Sequence, residues 1–99
     1  MRNLVQDQLP RTGPTDSRWQ ELSPAEREVA LLAAAGWTNS AIAARRGNST
    51  RTVDAQITTV FRKLLITNRF DIIGHIPEEF RYRIASESQR RPARSRPRR

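Results

Sequence analysis

The sequence has no cysteine, one methionine and one histidine among its 99 residues. Without cysteine there can be no disulfide, no thiolate nucleophile and no cysteine-ligated zinc site. Aromatic residues make up 6% of the chain, and no apolar run approaches the roughly 18 residues of a membrane span. Residues 1–10 lack the apolar stretch of a secretory signal. These absences predict one small cytoplasmic domain that does not contact membranes.

Arrangements of residues that carry out chemistry are also missing. There is no glycine-rich phosphate-binding loop and no cluster with metal-ligand spacing, and His75 has no nucleophile near it in sequence. The pair Glu78-Glu79 follows Pro77, which is where acidic residues favour the first turn of a helix. The sequence therefore predicts that the protein is not an enzyme and has no cofactor, no metal site and no small-molecule ligand.

Positive charge is abundant but unevenly placed. Of the net charge of +8, residues 81–99 contribute +7, whereas residues 20–80 are neutral overall. Within this neutral part, residues 45–69 carry +5. The basic middle segment is thus a better indication of a nucleic-acid partner than the isoelectric point. The Arg-rich end is either a non-specific contact for polyanions or a solubilising tail.

Capping residues and apolar spacing predict short helices and no strand. Ser23, Pro24 and Glu26 form the pattern of a capping box with proline at the first helical position, and Gly36 is a typical helix end. The same criteria, with Gly47 and the cap residues before each apolar stretch, predict helices at about 24–35, 39–46, 50–65 and 69–74. The fold class is therefore all-α.

The helix predicted at 50–65 has the most regular apolar stripe, formed by Val53, Ile57, Val60, Phe61 and Leu64. Its opposite face carries threonine, alanine and arginine instead of the usual glutamate and lysine. The short turn before it, with Gly47, makes helices 39–46 and 50–65 a helix-turn-helix, whose second helix enters the major groove of DNA.

The domain organisation follows from these elements. Residues 1–20 form a flexible lead, 21–76 form the helix-turn-helix domain as a small four-helix bundle, 77–88 form an additional short helix, and 89–99 form a disordered Arg-rich tail.

Several motifs recur with one family's spacing: LSPAEREV at 22–29, GWTN at 36–39, Ile42-Ala43, Thr52-Val53, RKL at 62–64 and Asn68-Arg69. Together they cover about half of the chain, and this half resembles the C-terminal DNA-binding domain of LuxR-type bacterial transcriptional regulators. The resemblance implies a four-helix bundle that binds double-stranded DNA, usually as a homodimer, with helix 50–65 as the recognition helix.

The resemblance also implies roles for individual residues. Base contacts are expected from Asp54, Ala55 and Thr58, and the short side chain of Thr59 on the same face makes it a further candidate. Asp54 is either a surface acid near Arg51 or an acceptor for the amino group of cytosine. The expected contacts to the DNA backbone come from Asn39, Ser49, Thr50, Arg51, Arg62 and Lys63. Ile72 and Ile73 are candidates for dimerisation.

Three features depart from the family pattern. Gln56 stands where histidine is frequent, and Leu65 stands where glycine usually ends the recognition helix, so that helix either runs longer or ends with strain. The segment before residue 22 is also too short for the usual regulatory domain. We therefore expect a sequence-specific, nucleoid-associated regulator without a regulatory domain of its own. The alternative is an adaptor that docks on a full-length regulator or RNA polymerase, or a module similar to the DNA-binding end of a sigma factor.

Overall fold

The computed structural model describes residues 18–93, and this part of the chain is all-α. Residues 18–20 are helical. Two 3-10 helices, Arg69–His75 and Glu78–Phe80, lie between α3 and α4. The α-helices are α1 (Pro24–Ala34), α2 (Asn39–Arg46), α3 (Thr50–Leu64) and α4 (Arg81–Arg90).

Side-chain caps set the start of each element of the bundle. At α1 the capping box forms as predicted, because Ser23 Oγ accepts from the Glu26 N–H at 3.1 Å and Glu26 Oε1 accepts from the Ser23 N–H at 2.9 Å. The side chains of Thr38, Ser49 and Asn68 likewise accept backbone N–H groups in the first turns of α2, α3 and the first 3-10 helix. These bonds satisfy backbone donors that have no partner within the helix.

The two helices of the helix-turn-helix end in the left-handed backbone conformation. α2 ends at Gly47, with φ of 71°, which costs glycine little. α3 ends at Leu65, with φ of 59° and ψ of 48°. For a residue with a Cβ this conformation costs about 1–2 kcal/mol. The expected strain at a non-glycine position is therefore present, and the helix does not run longer.

The core is built around α1, which contacts α2, α3, α4 and the first 3-10 helix. Its residues 29–34 are all buried, because neighbours cover this helix on every side. α3 contributes its predicted apolar stripe, with Val53, Ile57, Val60 and Leu64 buried. Ile42 of α2 and Ile72 of the first 3-10 helix complete the interior, both fully buried.

Three details of the elements differ from the sequence-based prediction. The predicted helix 69–74 is a 3-10 helix, and the predicted helix 77–88 divides into a 3-10 turn and α4, which continues to Arg90. At the other end, Trp19 is 2% exposed, so the lead joins the core before residue 20. Residues 1–17 and 94–99, which include most of the predicted lead and tail, lie outside the described residues.

Polar groups dock α4 on the bundle. Glu87, its buried residue, binds both terminal nitrogens of Arg45 in α2, at 2.8 and 3.0 Å. Arg83 binds both carboxylate oxygens of Glu28 in α1, at 2.8 and 3.1 Å. The Trp37 indole N–H donates to the Glu87 carbonyl at 2.8 Å. None of these partners lies on the same element as α4, so helical periodicity could not show them.

The carboxylates in this network hold their charge more readily than usual. Hydrogen bonds from Arg45 hold the pKa of Glu87 below its ordinary value although burial opposes the shift. Hydrogen bonds from Arg83 likewise lower the pKa of Glu28 against the effect of burial. Both glutamates are therefore ionised near neutral pH, and the docking of α4 depends on their charge.

Candidate nucleic-acid interface

α3 presents a surface of short side chains opposite its buried stripe. Asp54, Ala55 and Thr58 are exposed, and Thr59 is half-buried. The helix is fixed in rotation because Val53, Ile57, Val60 and Leu64 point into the core. This exposed surface, which we call the α3 face, holds all four predicted base-contact residues, whose role stays a prediction.

Hydrogen bonds constrain two of these side chains. The Thr58 hydroxyl donates to the Asp54 carbonyl one turn earlier, at 3.0 Å. This bond orients the hydroxyl towards the helix backbone and leaves the oxygen lone pairs as acceptors. One carboxylate oxygen of Asp54 accepts from the side-chain amide of Asn39 in α2, at 2.6 Å. Asp54 is therefore not a free surface acid but is tied to the helix that precedes the turn.

Four of the six predicted backbone contacts, Asn39, Ser49, Thr50 and Arg51, lie at the N-termini of α2 and α3. Ser49, Thr50 and Arg51 are exposed at the start of α3, where the helix dipole and unpaired N–H groups favour an anion. The Ser49 hydroxyl already serves as the cap and lies 3.0 Å from the Thr52 hydroxyl. A phosphate at this end would thus meet backbone N–H groups and the Arg51 side chain.

Internal contacts occupy several basic side chains of the segment 45–69. Lys63 lies 2.9 Å from Glu26 Oε1 and donates to the Glu21 carbonyl at 3.1 Å, and Arg45 is paired with Glu87. Burial raises the pKa of Glu26, but the Ser23 N–H and Lys63 lower it more, so the net pKa lies below its ordinary value. Lys63 therefore fastens α3 to α1, and the third hydrogen of its ammonium group remains for another acceptor.

Arg51 and Arg62 are the exposed arginines of α3. Within residues 18–93 neither of them forms a salt bridge. They flank the α3 face along the helix, because one lies in its first turn and the other in its last. The charge of these two side chains is thus available to a polyanion.

Arg69 has partners that its sequence neighbours do not indicate. This half-buried arginine donates through Nη2 to Asn39 Oδ1 at 2.7 Å and to the Trp37 carbonyl at 3.0 Å. Burial lowers its pKa and the charge of Asp54 opposes the shift, but a guanidinium remains protonated in proteins. The Asn-Arg motif at 68–69 was a signal for this position, although it gave no partner.

The two dimerisation candidates differ in accessibility. Ile72 is fully buried in the core of a single chain, so its side chain cannot contact a second copy, which corrects that assignment. Ile73 is half-buried and packs against the core. The exposed apolar side chain of the same 3-10 helix is Phe70, at 79% exposure.

Two further searches concern residues 18–93 only. Among them, no three histidine, aspartate or glutamate side chains lie together in a way that could hold a metal ion. None of the helices described is sufficiently long and apolar to span a membrane.

Comparison with the curated proteins and with the solved structures finds no match. The family model of bacterial regulatory proteins of the luxR family matches residues 20–76, which include α1, α2, α3 and the first 3-10 helix. α4 follows the matched region. Because the match covers more than half of the chain, the protein belongs to the luxR family of bacterial regulatory proteins.

Proposed function

We propose that the protein is a transcriptional regulator that binds double-stranded DNA sequence-specifically, with α3 in the major groove. The observation that carries this proposal is the α3 face. Its short side chains are exposed on a helix whose opposite side is fixed in the core. A major groove about 12 Å wide admits one helix, and short side chains allow that helix to approach the base edges.

The base contacts come from Asp54, Ala55, Thr58 and Thr59. The second carboxylate oxygen of Asp54, beyond the one bonded to Asn39, accepts a hydrogen bond from the amino group of cytosine. Ala55 and the Thr58 methyl group suit contact with the methyl group of thymine. The hydroxyl of Thr59 adds a donor or acceptor at the edge of the same surface.

Contacts to phosphates position the helix and carry no sequence information of their own. Ser49, Thr50 and Arg51 supply them at the start of α3, and Arg62 supplies one at its end. Asn39 has a second amide hydrogen beyond the one given to Asp54, and it is the donor we assign to a phosphate. Lys63 joins this set through the third hydrogen of its ammonium group, beyond the two that bond Glu21 and Glu26.

The proposed assembly is a homodimer on a two-fold site whose half-sites lie about one helical turn apart. Ile73 is the remaining candidate for the dimer contact. The arginines of residues 89–99 add affinity without much sequence preference, since phosphate contacts are insensitive to sequence. RNA polymerase or another regulator is a further proposed partner, and the proposed location is the cytoplasm, at the nucleoid.

The test is selection of randomised duplexes by the full chain at physiological salt. We expect one enriched sequence, with two-fold symmetry if the protein binds as a dimer. If about six phosphates are neutralised, log K should fall against log salt with a slope of about −5. A slope near zero, or a pool without any enriched sequence, would contradict DNA recognition and favour the adaptor alternative.

Two exposed residues of α3 provide matched variants. Thr58→Ala should change the enriched sequence because it alters the α3 face. Arg62→Gln should weaken binding to all sequences alike and make the salt slope shallower by about one. Arg62 is preferable to Lys63 here because Lys63 also binds α1. Equal effects of the two variants on every sequence would contradict the assignment of the α3 face.

A further inference from the structure

A chain of three hydrogen-bonded side chains connects the segment after the helix-turn-helix to the α3 face. Arg69, at the start of the first 3-10 helix, donates to Asn39 Oδ1 at 2.7 Å. Asn39, at the start of α2, donates through Nδ2 to Asp54 Oδ1 at 2.6 Å. Three elements of the fold therefore meet at the carboxylate that the proposed function places against a base edge.

The chemistry of the Arg69 guanidinium and the Asp54 carboxylate fixes the donor and the acceptor of each of these hydrogen bonds. A guanidinium only donates hydrogen bonds, so the amide oxygen of Asn39 must face Arg69. An ionised carboxylate only accepts, so the NH₂ group must face Asp54. The two requirements agree, and the Asn39 amide has one orientation that satisfies both neighbours. Its rotation is consequently fixed from both sides.

Arg69 is held independently of Asp54. It also donates to the carbonyl of Trp37 at 3.0 Å, which lies just before α2. The Trp37 ring is buried in the core. Because the guanidinium is anchored to this rigid backbone, it provides a fixed reference for the Asn39 amide.

We propose that Arg69 is a positioning residue for base recognition, which acts through Asn39 to fix the Asp54 carboxylate. Asn39 occupies one oxygen of Asp54 and leaves the other for the base. Without this restraint the carboxylate rotates more freely and accepts from more than one base edge. The inference rests on the proposed function, because it assigns Asp54 a base contact.

The first test uses the DNA-free protein and NMR of side-chain amides. In the wild type, the Asn39 amide protons should exchange with solvent more slowly than those of Asn48, an exposed asparagine in the turn between α2 and α3. Arg69→Gln should bring the exchange of Asn39 close to that of Asn48, and Arg69→Lys should restore part of the difference. Equal exchange of Asn39 and Asn48 in the wild type would overturn the proposal.

The second test measures base preference with the full-length variants. Asp54→Ala identifies the base pair that Asp54 contacts, because base preference should be lost at that one position of the DNA site. Arg69→Gln should lower the preference at that same position about fivefold, the low end expected for one base contact. In the Asp54→Ala background, Arg69→Gln should cause no additional change there, because its effect passes through Asp54.

Asn39→Asp removes only the second of these hydrogen bonds, the one from Asn39 to Asp54. The new carboxylate still accepts from Arg69 and suits a helix N-terminus, so the fold should be retained. The new side chain cannot donate a hydrogen bond to Asp54, and its negative charge repels the Asp54 carboxylate. We expect preference to fall at the position identified by Asp54→Ala, in addition to an even loss of affinity from the added negative charge.

Arg81→Gln is the matched control, because Arg81 also donates to a backbone carbonyl, that of Ile76 at 3.3 Å, and the change removes the same charge. It should leave base preference intact. If Arg69→Gln and Asn39→Asp weaken all sequences evenly, or if the effect of Arg69→Gln persists in the Asp54→Ala background, the role of Arg69 is overturned. A wild-type chain that selects no sequence instead contradicts the proposed function itself.

Discussion

The bundle matched by the family model and the helix α4 that follows it are held by different forces. In residues 20–76 the buried side chains are apolar, with Val29, Ile42 and Val53 fully buried. In α4 the buried residue is Glu87, and the apolar Ile84 is half-buried. Apolar burial depends little on salt or pH, whereas ion pairs depend on both. The two regions should therefore respond differently to the same perturbation.

The largest effect is expected from a cavity in the bundle. Leu64→Ala removes a side chain that is 1% exposed and should lower the free energy of unfolding by about 3 kcal/mol. Leu65→Ala, at a neighbouring side chain that is 69% exposed, is the control and should change it by less than about 0.5 kcal/mol. Urea unfolding followed by circular dichroism measures both. Similar values for the two variants would contradict the assignment of Leu64 to the core.

A smaller effect is expected from the docking of α4. Glu87→Gln removes the charge that pairs with Arg45, whose side chain is 34% exposed. The cost should be about 2 kcal/mol, below the 3–5 kcal/mol of a fully buried pair, because water reaches the arginine. Hydrogen exchange should show α4 amides losing protection while α1 amides keep theirs.

The control for Glu87→Gln is Glu79→Gln, which removes the same charge from an exposed residue before α4. It should leave protection in α4 unchanged. Equal loss of protection in α1 and α4 on Glu87→Gln would show that bundle and helix unfold as one unit, and the contrast between the two regions would then fail.

Lowering the pH should undock α4 from the bundle in the unmutated protein. The folded pKa values of Glu28 and Glu87 lie below the ordinary 4.5, so the undocked state binds protons at higher pH than the docked state. The two carboxylates therefore contribute fully to the stability of α4 docking above about pH 4.5. This contribution is lost as the pH falls through their pKa values in the folded protein.

The NMR signals of the two tryptophan indole N–H groups report this acid transition. The Trp37 signal should shift on acidification because its indole donates to α4. Trp19 is buried in the bundle and serves as the internal reference, which should shift later or not at all. Simultaneous shifts of both signals would contradict separate docking of α4.

The smallest effect is expected from the end of α3. Leu65→Gly relieves the left-handed strain of about 1–2 kcal/mol but loses part of this gain to the greater freedom of glycine in the unfolded chain. We expect a net stabilisation of about 0.5–1 kcal/mol in urea unfolding. Leu65→Ala is again the control, since it keeps the Cβ and should not stabilise. Equal stabilities of the glycine and alanine variants would show that the strain is absent.

Local chemistry made the bundle predictable. Ser23, Pro24 and Glu26 form a capping box within four residues, and the α3 stripe repeats with the helical period. Such signals are complete within one element. They placed the helix starts at Ser23 and Asn68. The family pattern left a longer helix or strain at Leu65 as alternatives, and the structure has the strain.

Contacts between distant residues were not predictable in this way. Arg45 and Glu87 are 42 residues apart, and nothing local to either shows that they meet. For the same reason the pairing of Lys63 with Glu26, 37 residues away, could not be predicted. The charge of these residues was visible in the sequence, but their partners were not.

The sequence by itself determined the all-α class, the helix-turn-helix and the family, because caps, periodicity and motif spacing are properties of short segments. Only the tertiary structure decided which charges remain available to DNA, that Ile72 belongs to the core, and that Arg69 and Asn39 hold Asp54. These depend on which side chains the fold brings within hydrogen-bonding distance, and that distance is set by the packing of whole helices.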